Sequence, residues 1–263
     1  PKISMLFSKI VVIVFVVALA NITIMQYTFI VGFGIILNSL VDLVFAVKSG
    51  WRYKPNFVIN NANTEKLISI FIPILFSTGV YQLSLLIDSA IASRLNTGDI
   101  TILNYANQIS SMVNTLLISN LLIYFYPKLV KDIEQQKSKR CFWEKTYLLH
   151  AIMCLIVAGY SVIGREGIAV LFEHGKFDAK SSDSVFILGL IYICTQQVNV
   201  VRDLIYRYFY AFGDTRSTTF NSIIATVVNI VSSLILVNFV GLYGVVVGTS
   251  ISSIVSTITI MFL

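Results

Sequence analysis

The sequence predicts an all-α integral membrane protein, and three observations carry the prediction. The chain of 263 residues is 56% apolar and only 12% charged, against about 25% charged in a soluble domain. The charges are bunched: 32 uncharged residues separate Lys9 from Asp42, and none of the 47 residues after Arg216 is charged. Lysine and arginine fall mainly on one side of the resulting segments. A soluble all-α protein would have to bury such runs on every face, which excludes that class.

A spanning helix needs about 20 apolar residues, and eight spans follow in order. The Lys9–Asp42 run holds two, at 5–24 and 27–46, with a break near Asn21–Gln26. The 21 uncharged residues from Lys66 to Asp88 and the 28 from Asp99 to Lys128 define spans at 67–94 and 102–127. The gaps of 19 residues from Lys145 to Arg165 and 18 from Asp183 to Arg202 define spans at 146–164 and 184–208. The last run holds two more, at 217–238 and 243–263, parted at Gly241–Gly244. The first run lacks a small-residue cleavage site and reads as a span rather than a signal peptide. The chain begins at Pro1 and stops inside an apolar run, as expected of a piece of a longer membrane protein.

Three loops organise the spans. Residues 47–66, basic and polar with WRYKP at the start, are the expected linker between two parts of the chain. The expected division is 1–47, a linker at 48–66, and 67–263. Loop 128–145 is basic and reads as an amphipathic surface helix, while loop 165–183 carries mixed charge. With 47–66 placed in the cytoplasm, 15 lysines and arginines lie on that side and 4 (Arg94, Arg165, Lys176, Lys180) on the other. This asymmetry orients the chain. It assigns the net charge of +6 to orientation and to contact with anionic membrane lipids, and no nucleic-acid partner is expected.

Four spans carry polar residues at helical spacing, where residues three and four apart share a face. The third has Ser77, Tyr81, Ser84 and Asp88; the fourth has Asn104, Asn107, Gln108, Ser111 and Asn114. The sixth has Gln196, Asn199, Arg202, Asp203 and Arg207, and the seventh Asn221, Ser222, Asn229, Ser232 and Ser233. Serine and threonine alone serve interhelical hydrogen bonding, whereas a stripe joining Arg, Asp, Gln and Asn reads as the wall of a wet cavity. An ionisable group within a span is costly and marks a pathway. Asp88 divides between a cavity role and a bland one, marking the membrane edge or pairing with Arg94. Arg202 and Asp203 are adjacent and point in different directions, so Asp203 is expected to pair with Arg207 at i,i+4. Asp42 reads as an edge residue and His150 as a packed one.

Soluble-enzyme chemistry finds no support. A G-x-x-x-x-G-K-[ST] phosphate loop is missing, the EHGKFD segment matches no standard metal spacing, and Cys141, Cys154 and Cys194 lie far apart. No catalysis and no cofactor are expected.

The motifs resemble one family. Pro73, Gln82, Asp88, Ala92, Ser93 and Leu95, then Gly98 and Leu103-x-Tyr105-Ala106, follow the pattern of the lipid II flippases (MurJ, formerly MviN) of the multidrug/oligosaccharidyl-lipid/polysaccharide exporter superfamily. Pro127, the segment Leu171-Phe172-x-x-Gly175-x-Phe177-Asp178, and Arg207-x-Phe209-Tyr210-Ala211-x-x-Asp214-Thr215-Arg216 extend it, with Asn229 and Thr249-Ser250. The resemblance implies a fourteen-helix protein of two six-helix lobes plus two helices. Residues 1–47 would be the last two helices of the N-terminal lobe and 67–263 the C-terminal lobe. It implies alternating access, an undecaprenyl-pyrophosphate-linked glycan as cargo, and the bacterial inner membrane as location, within peptidoglycan biosynthesis. It leaves a coupling ion and cell-wall synthesis enzymes open as partners.

With Gln82 added from the motif, the cavity candidates are Gln82, Asp88, Asn107, Gln108, Gln196, Asn199, Arg202, Asp203 and Arg207. The chain departs from the pattern where the family has Asp-Arg and then Glu: Asn107, Gln108 and Ser111 stand there. Met112-Val113 replaces Leu-Pro, and Thr218 replaces a proline. Capsule or O-antigen repeat units therefore stay open as cargo, as do a cation-coupled drug exporter and a transport-dead scaffold acting through loop 128–145.

Overall fold

The computed structural model describes residues 2–19, 23–50, 62–134, 140–175 and 177–263. The predicted linker lies mostly outside them, as does the centre of the basic loop at 135–139. The described chain is helical throughout: α1 (Lys2–Ala18), α2 (Ile24–Lys48), α3 (Ala62–Ala92), α4 (Asp99–Val113), α5 (Ser119–Glu134), α6 (Arg140–Phe172), α7 (Ala179–Ala211), α8 (Arg216–Val240) and α9 (Leu242–Phe262). Seven membrane-length helical segments are apolar enough to span, the α4–α5 rod counting as one, and the apolar part of α1, Ser4–Ala18, is shorter. The chain is an all-α, multi-pass membrane protein. Contacts divide it into two compact units, Pro1–Asn60 and Asn61–Leu263.

In the first unit α1 and α2 form a hairpin. Ser4 Oγ donates to Asp42 Oδ1 at 2.6 Å, so the acidic residue expected at a membrane edge is tied to the neighbouring helix. The Phe15 and Phe33 rings meet edge to face with centroids 6.4 Å apart. Thr23 and Gln26 form a reciprocal capping box that starts α2.

The second unit is a bundle of α3 to α9. Lipid is as apolar as leucine, so association relies on close packing and interhelical hydrogen bonds. The α8–α9 hairpin shows both. Gly241, at φ +58, turns the chain through a conformation that glycine adopts without strain. One turn on, a Cβ on Gly244 would lie 2.4 Å from the backbone carbon of Leu236. Two apolar cores hold the remaining helices. One gathers Ala92, Leu103, Ala106, Val185, Leu188 and Val245. The other gathers Ile118, Leu122, Leu149, Met153, Ile193 and Leu204. Leu155, Val162 and Phe239 point outward, as lipid-facing residues do, each more than 70% exposed.

Two expectations need correction. The loop expected at 165–183 is helical at both ends: α6 continues to Phe172 and α7 begins at Ala179. The charges there are consumed locally, because Arg165 donates to Asp183, to Glu173 at 3.3 Å and to the Ala179 carbonyl at 3.5 Å. The basic loop, expected to form an amphipathic surface helix, is helical at both its described ends, up to Glu134 and from Arg140. The fourth span is not one regular helix either, since a π-helical turn, Asn114–Ile118, interrupts it. Ser119 Oγ donates to Asn114 Oδ1 at 3.0 Å, and Asn120 Nδ2 donates to the Leu116 carbonyl at 2.8 Å. These side chains bond the turn where the regular ladder is displaced. α3 holds Pro73 in its interior, and the Pro73 carbonyl accepts from Thr219 Oγ1 of α8 at 3.1 Å.

Candidate functional site

A cavity of about 420 Å³ opens among α3, α4, α7, α8 and α9, within the roughly 300–1,000 Å³ range of small-molecule sites. The polar faces of α3, α4, α7 and α8 converge on it. Its charged lining residues are Asp88, Arg202 and Asp203.

Asp88 comes from α3 and is only 4% exposed. Its Oδ1 has no hydrogen-bond partner, and Asn229, Ser233 and Thr249 face the carboxyl. Beside it Asn229 bridges three helices: Ser84 Oγ donates to its Oδ1 at 2.7 Å, and its Nδ2 donates to Thr249 Oγ1 at 3.0 Å. The carboxyl is thus turned into the bundle, not toward Arg94. An anionic carboxylate in this place needs a proton or a cation to offset its desolvation.

α7 supplies the opposite wall. Gln196 is its hub: Nε2 donates to Ser110 Oγ at 3.1 Å, while Oε1 accepts from Asn114 at 3.4 Å and from Asn199 at 3.3 Å. Asn114 is the first residue of the π-helical turn, so the break in the fourth span carries an amide toward the cavity. Asn199 Oδ1 is buried without a partner, and Asn107 joins this wall from α4.

Arg202 and Asp203 correct the expected pairing. Arg202 folds against its own helix and donates to Asp203 Oδ1 from Nη2 at 3.0 Å and from Nε at 3.2 Å. The long side chain reaches an adjacent residue that backbone direction alone would separate. Arg207 instead stands over the Tyr126 ring, 5.8 Å from its centroid. Of the nine sequence candidates, Asp88, Asn107, Gln196, Asn199, Arg202 and Asp203 line the cavity, and Gln82, Gln108 and Arg207 do not.

Sequence reasoning named Thr249 only as part of the family pattern and passed over Ser252 and Ser253 of α9 and Tyr192, Thr195 and Tyr206 of α7, all of which line the cavity. The α9 group recurs at helical spacing, but hydroxyls alone at that spacing mark interhelical packing as readily as a cavity. Among the described residues no group of three or more His, Cys, Asp or Glu side chains could hold a metal ion.

A multi-helix membrane bundle around a polar cavity is the architecture of a membrane transporter. Comparisons with known proteins specify it further. The family model described as "Lipid II flippase MurJ" matches residues 1–263, and the chain belongs to that family. It is 26% identical over 227 residues to the "Probable lipid II flippase MurJ" of Vibrio cholerae, covering 84% of this chain and 43% of that protein. It is 26% identical over 211 residues to the "Lipid II flippase MurJ" of Burkholderia cenocepacia, covering 76% and 39%.

The solved structure "Lipid II flippase MurJ, inward closed conformation" superposes with a TM-score of 0.71 at 20% identity, covering 98% of this chain and 54% of that one. A superfamily transporter from Pyrococcus furiosus superposes with a TM-score of 0.66 at 14% identity, covering 80% and 47%. That transporter is described as having a binding pocket of reverse polarity that suggests a different function. The chain spans about half the length of the relatives it matches.

Proposed function

We propose that the chain is the C-terminal part of a flippase that carries an undecaprenyl-pyrophosphate-linked cell-wall glycan precursor, lipid II or a close relative, from the inner to the outer leaflet. One observation carries the reading: α3, α4, α7, α8 and α9 of a membrane-spanning bundle turn polar faces onto a shared cavity. A pyrophosphate sugar cannot cross hydrocarbon without polar partners, and this wall offers amides, hydroxyls and one guanidinium. Family membership names the cargo class.

In this reading residues 1–47 complete an N-terminal lobe, 48–66 link the lobes and 67–263 form the second lobe; the division of contacts after Asn60 supports it. Alternating access would expose the cavity in turn to the two leaflets. Asp88 is the group suited to coupling, because its unpartnered buried oxygen would take up a proton or a small cation. The membrane is the bacterial inner membrane, where the precursor is made.

The test is leaflet accessibility of undecaprenyl-linked sugars in cells depleted of the full-length protein. Accumulation in the inner leaflet is the expected result, and unchanged accessibility would remove the flippase reading.

A further inference from the structure

Among the described residues, Arg202 is the one cation that lines the cavity, and its donors are only partly used. A guanidinium carries five N–H donors. Asp203 Oδ1 receives one from Nε and one from Nη2, so both Nη1 protons and the second Nη2 proton stay available. The side chain keeps 23% exposure and that of Asp203 29%, enough for cavity access. Tyr206 places its ring 5.8 Å from the guanidinium carbon, and Tyr81 of α3 lies within electrostatic reach of both charges. Burying an arginine alone in a membrane cavity would be costly, and a carboxylate partner offsets part of that cost. The cavity wall therefore holds a net-neutral pair whose guanidinium donors are only partly used.

Phosphate oxygens are the acceptors that such a fork takes bidentately. We infer that Arg202 is the cavity's contact for the diphosphate group of the lipid-linked cargo, and that Asp203 is its positioning residue, competing with the phosphate for the guanidinium. The inference rests on the proposed flippase reading. Asp203 holds the cation ready and limits how tightly the diphosphate is kept, so that cargo can leave. Asp203 and Arg202 consequently act in opposite directions on affinity, which an ordinary structural ion pair does not do.

The experiment measures binding of undecaprenyl diphosphate to the full-length protein in nanodiscs, with undecaprenol and inorganic pyrophosphate as comparison ligands. Arg202→Gln and the double variant Arg202→Gln/Asp203→Asn should weaken binding by on the order of 10- to 100-fold, the loss expected for a charge-assisted pair. Asp203→Asn should tighten it several-fold while slowing release, and Arg202→Lys should recover only part of the affinity. Undecaprenol binding should not respond. The double variant leaves no unpaired charge, so the comparison survives if a single variant misfolds.

Equal weakening by Arg202→Gln and Asp203→Asn, or no change in either, overturns the proposal. Displacement of the lipid by equimolar pyrophosphate overturns the lipid source of the diphosphate. Flipping is read separately by leaflet accessibility. Its loss as an activity of the wild-type protein sinks the flippase reading, whereas intact flipping with Arg202-independent binding sinks only this one.

Discussion

Gly244→Ala should break the hairpin that builds one side of the cavity. A Cβ at this position would lie 2.4 Å from the Leu236 carbonyl carbon, 2.6 Å from its oxygen and 2.6 Å from the Val237 nitrogen. All three atoms are backbone, so no side-chain rotation relieves the contact. Ordinary contact needs 3.4 Å or more, so α8 and α9 must part by about 1 Å, a shift that overpacked interiors resist at roughly 1–3 kcal/mol. The displacement also pulls Asn229 from Thr249, now bonded at 3.0 Å. Gly159→Ala is the internal control: it lies within α6, and its Cβ would meet nothing within 4 Å. That change should be neutral or stabilise by up to about 1 kcal/mol through helix propensity. Thermal unfolding of both variants of the full-length protein in detergent measures the difference. A melting temperature for Gly244→Ala equal to that of Gly159→Ala would refute the close-packed hairpin.

Other outcomes follow from the same geometry. Asn229→Leu removes its bonds to Ser84 and Thr249 and should cost about 1–2 kcal/mol, since interhelical bonds in membranes average about 0.6 kcal/mol each; unfolding by SDS titration should show the loss. Asp88→Asn keeps the shape of the side chain and should lower gradient-driven flipping about tenfold or more without unfolding the protein. Proteoliposomes with imposed ion gradients test this, and unaltered gradient dependence would exclude Asp88 from coupling.

At the helix starts, hydrogen bonds from Ser181 hold the Asp178 carboxyl below the usual aspartate range, and bonds from Ser217 do the same for Asp214. A carboxyl with a depressed folded value contributes stability that is complete above the ordinary value of about 4. That stability is lost as pH falls below it through the folded value. Asp178→Asn/Asp214→Asn should therefore flatten the pH dependence of unfolding in that acid window and leave it unaltered at neutral pH.

Much of the bundle was legible because membrane helices announce themselves through missing charge. The runs after Lys9, Lys66 and Arg216 located their helices within several residues. Helix ends were less legible. Arg165, Glu173 and Asp183 look like loop residues in sequence, yet they bond one another across the α6–α7 corner, so α6 runs on past the apolar stretch. The π-helical turn had no signature, because its segment NTLLI continues the span's mix of polar and apolar residues without a helix-breaking residue. In the cavity, Asp88 stood out as a carboxylate in a long apolar run. The Arg202–Asp203 pair did not, since helical periodicity says nothing about a long side chain folding along its own helix. Thr249, Ser252 and Ser253 were invisible for another reason: hydroxyls satisfy themselves on the preceding turn, as Thr249 does with the Val245 carbonyl at 3.1 Å, so they mark a cavity no better than a packed interface.

The central claim is that the cavity is the path of the head group. Ala225 of α8 lines it, and Ala225→Trp would fill part of the roughly 420 Å³ space without touching a charge. Flipping of a fluorescent undecaprenyl-pyrophosphate-linked sugar by full-length protein in proteoliposomes is the direct measurement. The account predicts that Ala225→Trp abolishes flipping while the protein stays folded; flipping at the wild-type rate through the filled cavity would contradict it.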